Sequence, residues 1–173
     1  HIPFCRKRCH YCDFFKSTDL TQKARLLAGL KNELESRAPE LNSEEINTIY
    51  LGGGTPSVLL MDELKDLLST IRQNYKVSID AEITMEANPD DLSQAILSAI
   101  RGIGFNRLSM GIQSFAESDL KLMNRRHGVM QAIQSVKWAK KAGFSNISID
   151  LIYGLPNQTL EEWERNVGIA VEL

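Results

Sequence analysis

Three cysteines are the residues of this sequence with the clearest capacity for chemistry. Cys5, Cys9 and Cys12 are the only cysteines in the chain, and all three lie near its start. An odd, tightly bunched set cannot form a disulfide framework, and in a reducing compartment such thiolates more often bind a metal or an iron-sulfur cluster. At this spacing they can hold three corners of a cubane and leave its fourth iron without a protein ligand, open to exogenous chemistry.

A structural zinc site is the rival interpretation of the same residues. Zinc ligand pairs tolerate roughly two to four intervening residues, and His1 or His10 could complete a set of four ligands. However, His10 is adjacent to Cys9 and would have difficulty reaching the same ion, and no second pair of cysteine or histidine residues follows downstream. The pattern therefore favours a cluster, with zinc as the alternative.

The elements that must position these residues alternate along the chain. Short apolar runs are separated by segments of helical period, a pattern that predicts βα units around a parallel sheet. The predicted strands cover residues 1–4, 46–51, 81–86, 107–112 and 146–152. A complete eightfold barrel needs about 250 residues. The sequence therefore predicts an α/β fold of five βα units, either a partial (β/α) TIM-like barrel or an open parallel sheet.

Local signals mark the ends of two of the predicted helices. Gly102 predicts the end of a short helix that begins at Ser93, because glycine is the usual residue beyond a helix end. Thr159 and Glu162 form a Thr-x-x-Glu capping box, which predicts that the last segment opens as a helix.

The loops that follow the predicted strands carry the other unusual residues. The glycine run that ends in Pro56 follows the second strand, Glu86 lies at the third, Gln113 at the fourth and Asp150 at the fifth. In parallel α/β folds, binding residues lie on the loops at the carboxyl ends of the strands. A parallel sheet that carries no binding site has no need of such residues at the ends of all its strands. Their coincidence, together with the cysteines, predicts a site at this rim.

Composition and charge exclude several classes of protein. The formal net charge is −2, and 43% of the residues are hydrophobic. No basic block indicates a nucleic-acid partner, and no run approaches the roughly 18 apolar residues that span a bilayer. We therefore expect a cytoplasmic globular protein. Because the chain opens within a strand-like segment and closes within a helix-like one, we expect residues 1–173 to be one domain core that is incomplete at both ends.

The cysteine pattern, the preceding His-Ile-Pro-Phe and the glycine run together resemble the radical S-adenosylmethionine (SAM) superfamily. Within that superfamily, the chain is similar to the oxygen-independent coproporphyrinogen III dehydrogenases and to the related radical SAM haem chaperones. Three further segments carry this narrower resemblance, which extends over essentially the whole chain: Glu86-Ala87-Asn88-Pro89, Gly111-Ile112-Gln113-Ser114-Phe115 and Ile149-Asp150-Leu151-Ile152-Tyr153-Gly154-Leu155-Pro156.

The resemblance implies two cofactors and the residues that hold them. By it, Cys5, Cys9 and Cys12 bind a 4Fe-4S cluster whose fourth iron is chelated by SAM, and electron transfer cleaves SAM to methionine and a 5′-deoxyadenosyl radical. The residues that match SAM-binding positions are Tyr11 beside the adenine, Gly53, Gly54 and Thr55 at the methionine end, Glu86 at the cationic groups, Gln113 and Asp150 at the ribose hydroxyls, and Arg125 at the carboxylate. Arg126 leaves a one-residue ambiguity for the arginine.

One departure separates the two related groups. The dehydrogenase pattern has a fourth cysteine two residues after the third, whereas this chain has Phe14 in the run Cys12-Asp13-Phe14, as in the chaperone-like pattern. The resemblance therefore favours a haem chaperone that binds the cluster, SAM and haem and delivers haem to target proteins. Coproporphyrinogen III dehydrogenase is the alternative, and whether the protein is an enzyme stays open.

The same resemblance implies partners and a place for Phe14. Haem or a porphyrin, haem-receiving proteins, and an electron donor such as flavodoxin or ferredoxin are the implied partners. His1, His10 and His127 are candidate haem ligands, although each is more often an exposed or packed imidazole. We expect Phe14 to pack the cysteine loop onto the barrel rim.

Overall fold

The computed structural model describes all residues of the chain as alternating strands and helices. The strands are β1 (Ile46–Leu51), β2 (Val77–Ala87), β3 (Arg107–Gln113) and β4 (Asn146–Leu151). The α-helices are α1 (Lys23–Arg37), α2 (Met61–Asn74), α3 (Gln94–Ile103), α4 (Glu117–Leu122), α5 (Val129–Lys141) and α6 (Leu160–Glu172). None of these helices is long and apolar enough to cross a membrane.

The four strands form one parallel sheet in the order β1-β2-β3-β4. Each strand lies beside the one that precedes it in the chain, whereas a doubly wound sheet reverses its strand order at a switch point. Sequential order with helical crossovers is the arrangement of a barrel wall. The predicted partial (β/α) TIM-like barrel is therefore confirmed, with four strands in the sheet rather than five.

The predicted first strand does not join the sheet as a full strand. Ile2 and Gly53 form one isolated parallel bridge, and Phe4 and Ser17 form another. The Ile2 amide donates to the Gly52 carbonyl at 2.8 Å, and the Gly54 amide donates to the Ile2 carbonyl at 2.8 Å. Pro3 has no amide hydrogen to extend such a ladder. The N-terminal segment thus lies against the glycine run, which brings the cysteine loop to the end of β1.

The two faces of the sheet differ in polarity. Alternate residues of β2 and β3 face the helices and are fully or almost fully buried: Ile83, Met85, Ala87, Leu108, Met110 and Ile112. The opposite face carries polar residues, and Arg107 joins three strands across it by donating to Ser148 Oγ at 2.6 Å and to Thr84 Oγ1 at 3.3 Å. The core therefore lies between sheet and helices, and the other face is left polar.

The two predicted helix boundaries have different outcomes. The Thr159–Glu162 capping box is confirmed, since each side chain accepts the other residue's amide, at 3.2 and 2.9 Å. The prediction that α3 ends at Gly102 is wrong. The helix continues to Ile103 and ends at Gly104, which has φ +118°. The terminating residue must adopt this left-handed conformation, and the local sequence offers two glycines of which only the second does.

Candidate cofactor site

One cavity of about 380 Å³ opens at the carboxyl rim of the sheet. All the residues predicted to hold the cluster or SAM line it: Cys5, Cys9, Tyr11, Cys12, Gly53, Gly54, Thr55, Glu86, Gln113, Arg125 and Asp150. These residues come from the cysteine loop, from the ends of all four strands and from the α4–α5 connection. The structure thus brings the predicted set together around one space, while the role of each residue stays a prediction.

All three cysteines line this cavity, and hydrogen-bond donors reach the sulfurs of two of them. Cys5 is buried, and its Sγ accepts a hydrogen bond from Thr55 Oγ1 at 3.3 Å. A side chain at position 54 would place a Cβ 3.0 Å from that sulfur, so the glycine allows the backbone to approach it closely. Cys9 Sγ lies at the α4–α5 connection, where it accepts from Arg125 Nη1 at 3.4 Å. Thr55, at the end of the glycine run, therefore positions the Cys5 sulfur, and Arg125 positions the Cys9 sulfur.

Contacts on several sides hold the cysteine loop in place. Arg6, between the first two cysteines, pairs with Asp91 at 2.9 Å, and the Asp91 side chain is only 3% exposed. On the other side, the His10 amide donates to the Met123 carbonyl at 3.1 Å. Lys16 donates to the Cys12 carbonyl. The loop is thus docked onto the β2–α3 connection and the end of α4 by the chain's own residues.

The histidines of the zinc alternative are engaged elsewhere. The His10 Nδ1 donates to the Leu122 carbonyl at 3.0 Å, and the His1 Nε2 donates to the Phe15 carbonyl at 3.4 Å. No three His, Cys, Asp or Glu side chains converge as ligands of a single ion. A tetrahedral zinc with bonds of about 2.3 Å holds its sulfurs within about 4 Å of one another. Neither histidine is therefore in place as a fourth zinc ligand.

Arg125 and Arg126 occupy different environments. Arg125 lines the cavity, and its Nη2 donates to Asn88 Oδ1 and to the Gly111 carbonyl, both at 2.6 Å. Arg126 instead forms a 3.0 Å ion pair with the buried Asp90. The Nε of Arg125 is buried without a hydrogen-bond partner. Arg125 is therefore the arginine that faces the cavity, and it retains an unused donor.

Asn88 is a residue of this site that the sequence did not single out. Its Nδ2 donates to Thr55 Oγ1 at 3.1 Å, and its Oδ1 accepts from Arg125. It thereby joins the glycine-run side of the cavity to the arginine side. The available signal was its position two residues after Glu86, in the same strand-end segment.

Glu86 closes the wall next to the glycine run. Its Oε1 accepts from the Tyr50 hydroxyl at 2.8 Å, and its Oε2 accepts from the Gly53 amide at 2.9 Å. Burial, followed by the hydrogen bond to Glu86, raises the pKa of Tyr50 above its ordinary value, so Tyr50 stays a neutral donor. The carboxylate of Glu86 is thus oriented toward the cavity by two donors.

Asp150 and Glu86 give this part of the cavity negative character. Partial desolvation, then repulsion from Glu86, raises the pKa of the Asp150 carboxyl above its ordinary value, although Arg107 and Arg125 oppose the shift. Two carboxylates that repel each other provide a favourable place for a cation or for hydroxyl donors. This wall is complementary to positive charge, whereas Arg125 is complementary to an anion.

Gln113 has a conformation that its residue type does not predict. It has φ +71°, and the register of β3 against β4 shifts between Met110 and Gln113. A left-handed non-glycine residue is uncommon, and such residues cluster at functional sites, where surrounding contacts hold them. The Gln113 carbonyl accepts the Ile152 amide at 2.9 Å, which fixes the turn beside the cavity.

The expectation that Phe14 packs the cysteine loop onto the rim is wrong. Phe14 is 74% exposed, and the adjacent Phe15 is 80% exposed. Lys16 takes the packing role instead, by donating to the carbonyls of Cys12 and Phe14. Phe14 also lines the mouth of the cavity. It is therefore available to a ligand rather than used in packing.

Burial favours the neutral forms of two groups in the cavity, the Cys5 thiol and the Tyr11 hydroxyl. Burial raises the pKa of the Cys5 thiol, although the hydrogen bond from Thr55 opposes the shift. Burial also raises the pKa of Tyr11 to about 12, although the charge of Arg125 opposes it. A thiol with a raised pKa becomes a thiolate readily only when it bonds to metal, because the metal ion supplies the compensating charge.

The cavity fits an iron-sulfur cluster together with a small zwitterionic ligand that carries additional positive charge. Three thiols share its wall, the Arg125 guanidinium brings a positive charge that suits a carboxylate, and Glu86 and Asp150 can face cationic or hydroxyl groups. These features and the sequential parallel sheet define a barrel protein with a thiol-bearing loop at the carboxyl rim of its sheet. A model of the radical SAM superfamily matches residues 1–167. The chain belongs to this superfamily, and membership implies a 4Fe-4S cluster and SAM.

Within the superfamily, the chain is similar to heme chaperones and to coproporphyrinogen III oxidases. The chain is 42% identical to the heme chaperone HemW of Lactococcus lactis, with 100% of this chain and 45% of that protein covered. It is 37% identical to the oxygen-independent coproporphyrinogen III oxidase of Escherichia coli, over 100% of this chain and 38% of that protein. The solved structure of coproporphyrinogen III oxidase (HemN) from Escherichia coli, described as a radical SAM enzyme, superposes with a TM-score of 0.92 at 34% identity, covering 99% of this chain and 40% of that one. The chain thus spans less than half the length of these relatives.

We predict that Asp150→Asn weakens SAM binding and slightly stabilises the protein. Loss of a hydrogen bond to a charged group costs about 1 to 3 kcal/mol of binding free energy. Because the pKa of Asp150 is raised in the folded state, ionisation of Asp150 opposes folding above that pKa, and the unfolding free energy rises as the pH falls through it. The neutral amide should therefore raise the melting temperature slightly near neutral pH.

The matched measurements are SAM titration calorimetry and thermal melts over a pH series. SAM binding to the unmodified chain should weaken as the pH falls through the raised pKa of Asp150, and the variant should lack this component. Asp80→Asn is the control, since Asp80 is exposed on β2 and does not line the cavity. An unchanged SAM affinity in Asp150→Asn would remove this residue from the binding site.

Proposed function

We propose that this chain is the radical SAM core of a cytoplasmic haem chaperone that binds a 4Fe-4S cluster, SAM and haem and passes haem to recipient proteins. The observation that carries the proposal is the single cavity in which the three thiols meet a cation-facing wall and an anion-facing arginine. Relatives named heme chaperone HemW at 37–42% identity support the choice within the superfamily.

The chain's residues suggest a definite orientation for SAM. Arg125 is the candidate partner of the SAM carboxylate, because a guanidinium makes strong charge-assisted hydrogen bonds. Glu86 would face the cationic groups, and Gln113 and Asp150 would accept from the ribose hydroxyls. Tyr11, held neutral near the rim, would lie against the adenine. When present, the cluster supplies the single electron needed for reductive cleavage of the sulfonium.

The three thiols would hold the cluster through an arrangement that the chain already provides. Thr55 and Arg125 donate to the sulfurs of Cys5 and Cys9, and such donors stabilise a negatively charged sulfur. Hydrogen bonds to ligand sulfurs are one of the factors that set the reduction potential of a cluster. These residues therefore contribute to tuning the cluster as well as to placing SAM.

Coproporphyrinogen III oxidative decarboxylation is the second candidate function. The Escherichia coli oxidase matches the whole chain and has the similar solved fold. Against it stands Phe14, which occupies the place of the fourth cysteine in the dehydrogenase pattern. Phenylalanine provides neither a proton nor a nucleophile, but its exposed ring at the cavity mouth offers a face for a planar macrocycle.

We predict that the full-length protein binds haem but does not turn over coproporphyrinogen III. The reconstituted protein, a reductant and SAM would be incubated anaerobically with coproporphyrinogen III, and protoporphyrinogen would be measured. A parallel spectrophotometric titration would follow haem. Formation of protoporphyrinogen over several turnovers would contradict the chaperone proposal and support the enzyme.

The Phe14→Ala variant tests whether the exposed ring contributes to haem binding. Because Phe14 is largely exposed, its removal should change the unfolding free energy by less than about 0.5 kcal/mol. Loss of a stacked aromatic face should weaken haem binding by about 0.5 to 1.5 kcal/mol. Phe15→Ala is the matched control, because Phe15 is the adjacent residue and is 80% exposed but does not line the cavity. Equal haem affinity in the Phe14→Ala variant and the unmodified protein would remove Phe14 from the haem site.

A further inference from the structure

The turn that carries Gln113 is strained and needs contacts to hold it. The Ser114 amide donates to the Ile112 carbonyl at 3.0 Å, so Gln113, with φ +71°, is the central residue of a γ-turn. The form of this turn with a positive central φ is the rare and strained one. Such a conformation persists only where the surrounding structure holds it. The residues that supply these contacts therefore help to determine where the Gln113 side chain lies in the cavity.

Asn166 of α6 supplies two of these contacts from outside the cavity. It is completely buried, and it does not line the cavity. Its Oδ1 accepts the Phe115 amide at 2.7 Å, and its Nδ2 donates to Ser114 Oγ at 3.2 Å. Asparagine is among the poorer helix formers, and a buried side-chain amide needs hydrogen-bond partners. Asn166 thus fixes the two residues that directly follow Gln113.

The same hydrogen-bond network reaches the connection between β4 and α6. Ser114 Oγ donates to Oδ2 of the buried Asp119 at 2.7 Å, and Gln158 Nε2 donates to the same oxygen at 3.2 Å. Gln158 Oε1 in turn accepts the Gly154 amide at 2.9 Å. The network therefore joins the turn after β3 to the turn after β4. These turns follow the strand ends that carry both residues predicted at the ribose hydroxyls of SAM.

We infer that Asn166 is a positioning residue for SAM, because it holds the γ-turn that places the Gln113 side chain at the ribose. The inference rests on the proposed function, since it requires SAM in this cavity. Asn166 does not reach the cavity, so its effect on the ligand must pass through Gln113. Buried polar networks whose groups are all paired rigidify the structure around them. A side chain that is already in place loses less conformational freedom when the ligand binds.

The test is a double-mutant cycle between Asn166→Ala and Gln113→Ala, measured as the SAM affinity of the reconstituted full-length protein. Alanine at position 113 keeps the backbone strain but removes the side-chain amide. We expect Gln113→Ala to weaken SAM binding roughly fivefold, the effect of one hydrogen bond between neutral groups. Asn166→Ala alone should weaken SAM binding roughly threefold, but it should have almost no further effect in the Gln113→Ala background. Equal losses in both backgrounds would overturn the inference, and so would an unchanged affinity in either single variant.

Asn106→Ala is the matched control. The Asn106 side chain also bridges two backbone groups, since its Oδ1 accepts the Ile83 amide at 2.7 Å and its Nδ2 donates to the Ala81 carbonyl at 2.8 Å. It lies just before β3, at the opposite end of that strand from Gln113, and does not line the cavity. Asn106→Ala should lower the melting temperature, as Asn166→Ala should, but leave SAM affinity unchanged. Equal losses of SAM affinity in these two variants would show that lost stability, and not positioning, weakens binding, which would overturn the inference.

Hydrogen–deuterium exchange in the SAM-free protein separates this inference from the proposed function. The Ile152 amide donates to the Gln113 carbonyl at 2.9 Å, so its exchange rate reports on the turn. This amide should exchange roughly tenfold faster in Asn166→Ala, because the turn opens more often, and at an unchanged rate in Asn106→Ala. Unchanged exchange in Asn166→Ala would overturn the inference. Absence of SAM binding in the unmodified protein would instead overturn the proposed function, while the exchange rate would still decide whether Asn166 holds the turn.

Discussion

Cys9→Ser and Cys12→Ser, made separately, should each abolish assembly of an intact 4Fe-4S cluster. A cubane held at three corners has no replacement ligand when one thiolate is removed, since neither His1 nor His10 is turned toward the others. After anaerobic reconstitution, we expect loss of the visible charge-transfer absorbance and of most bound iron and sulfide. The measurement is absorption spectroscopy with iron and sulfide analysis.

These two cysteines make a cleaner test than Cys5. Both are partly exposed, so the hydroxyl should fit without a packing penalty, whereas Cys5 is buried against Thr55. The metal-free variants should therefore unfold within about 0.5 kcal/mol of the unmodified chain. A full cluster in Cys12→Ser would contradict the three-thiolate site. One bound zinc that is lost in His10→Ala would support the zinc alternative.

Arg125→Gln should cause the largest loss of SAM affinity among the non-cysteine residues of the site. Glutamine can keep one amide hydrogen bond to Asn88 or to the Gly111 carbonyl, but it cannot supply the positive charge. A lost hydrogen bond between charged groups costs about 1.5 to 3 kcal/mol of binding free energy, which raises the dissociation constant of SAM roughly tenfold to hundredfold. Titration calorimetry with SAM on the reconstituted protein measures this dissociation constant.

Arg126→Gln is the matched control, because Arg126 is the next residue and makes its ion pair with Asp90 outside the cavity. That variant should destabilise the protein, since it leaves the carboxylate of Asp90 with less compensation, while SAM affinity changes little. A greater loss of SAM affinity in Arg126→Gln than in Arg125→Gln would show that the family position had been matched to the wrong arginine.

The sequence alone was sufficient for the framework of the protein. The βα alternation predicted all four strands of the sheet, and β1 was predicted with the bounds that the structure has. Cysteine spacing and the residues at strand ends predicted which side chains would share a site. The strands were found where predicted and these side chains line one cavity for the same physical reason: a parallel strand places its carboxyl end at a common rim, so position along the chain fixes position on the rim.

Tertiary structure decided what local pattern could not. It selected Arg125 over Arg126, because which of two adjacent side chains faces inward depends on the backbone rotation at the end of α4. It showed that Asn88 bridges Thr55 and Arg125, a contact between residues far apart in the chain. It left Phe14 exposed, because Lys16 holds the loop carbonyls. Each result depends on distant contacts and on side-chain direction, which residue type and spacing do not encode.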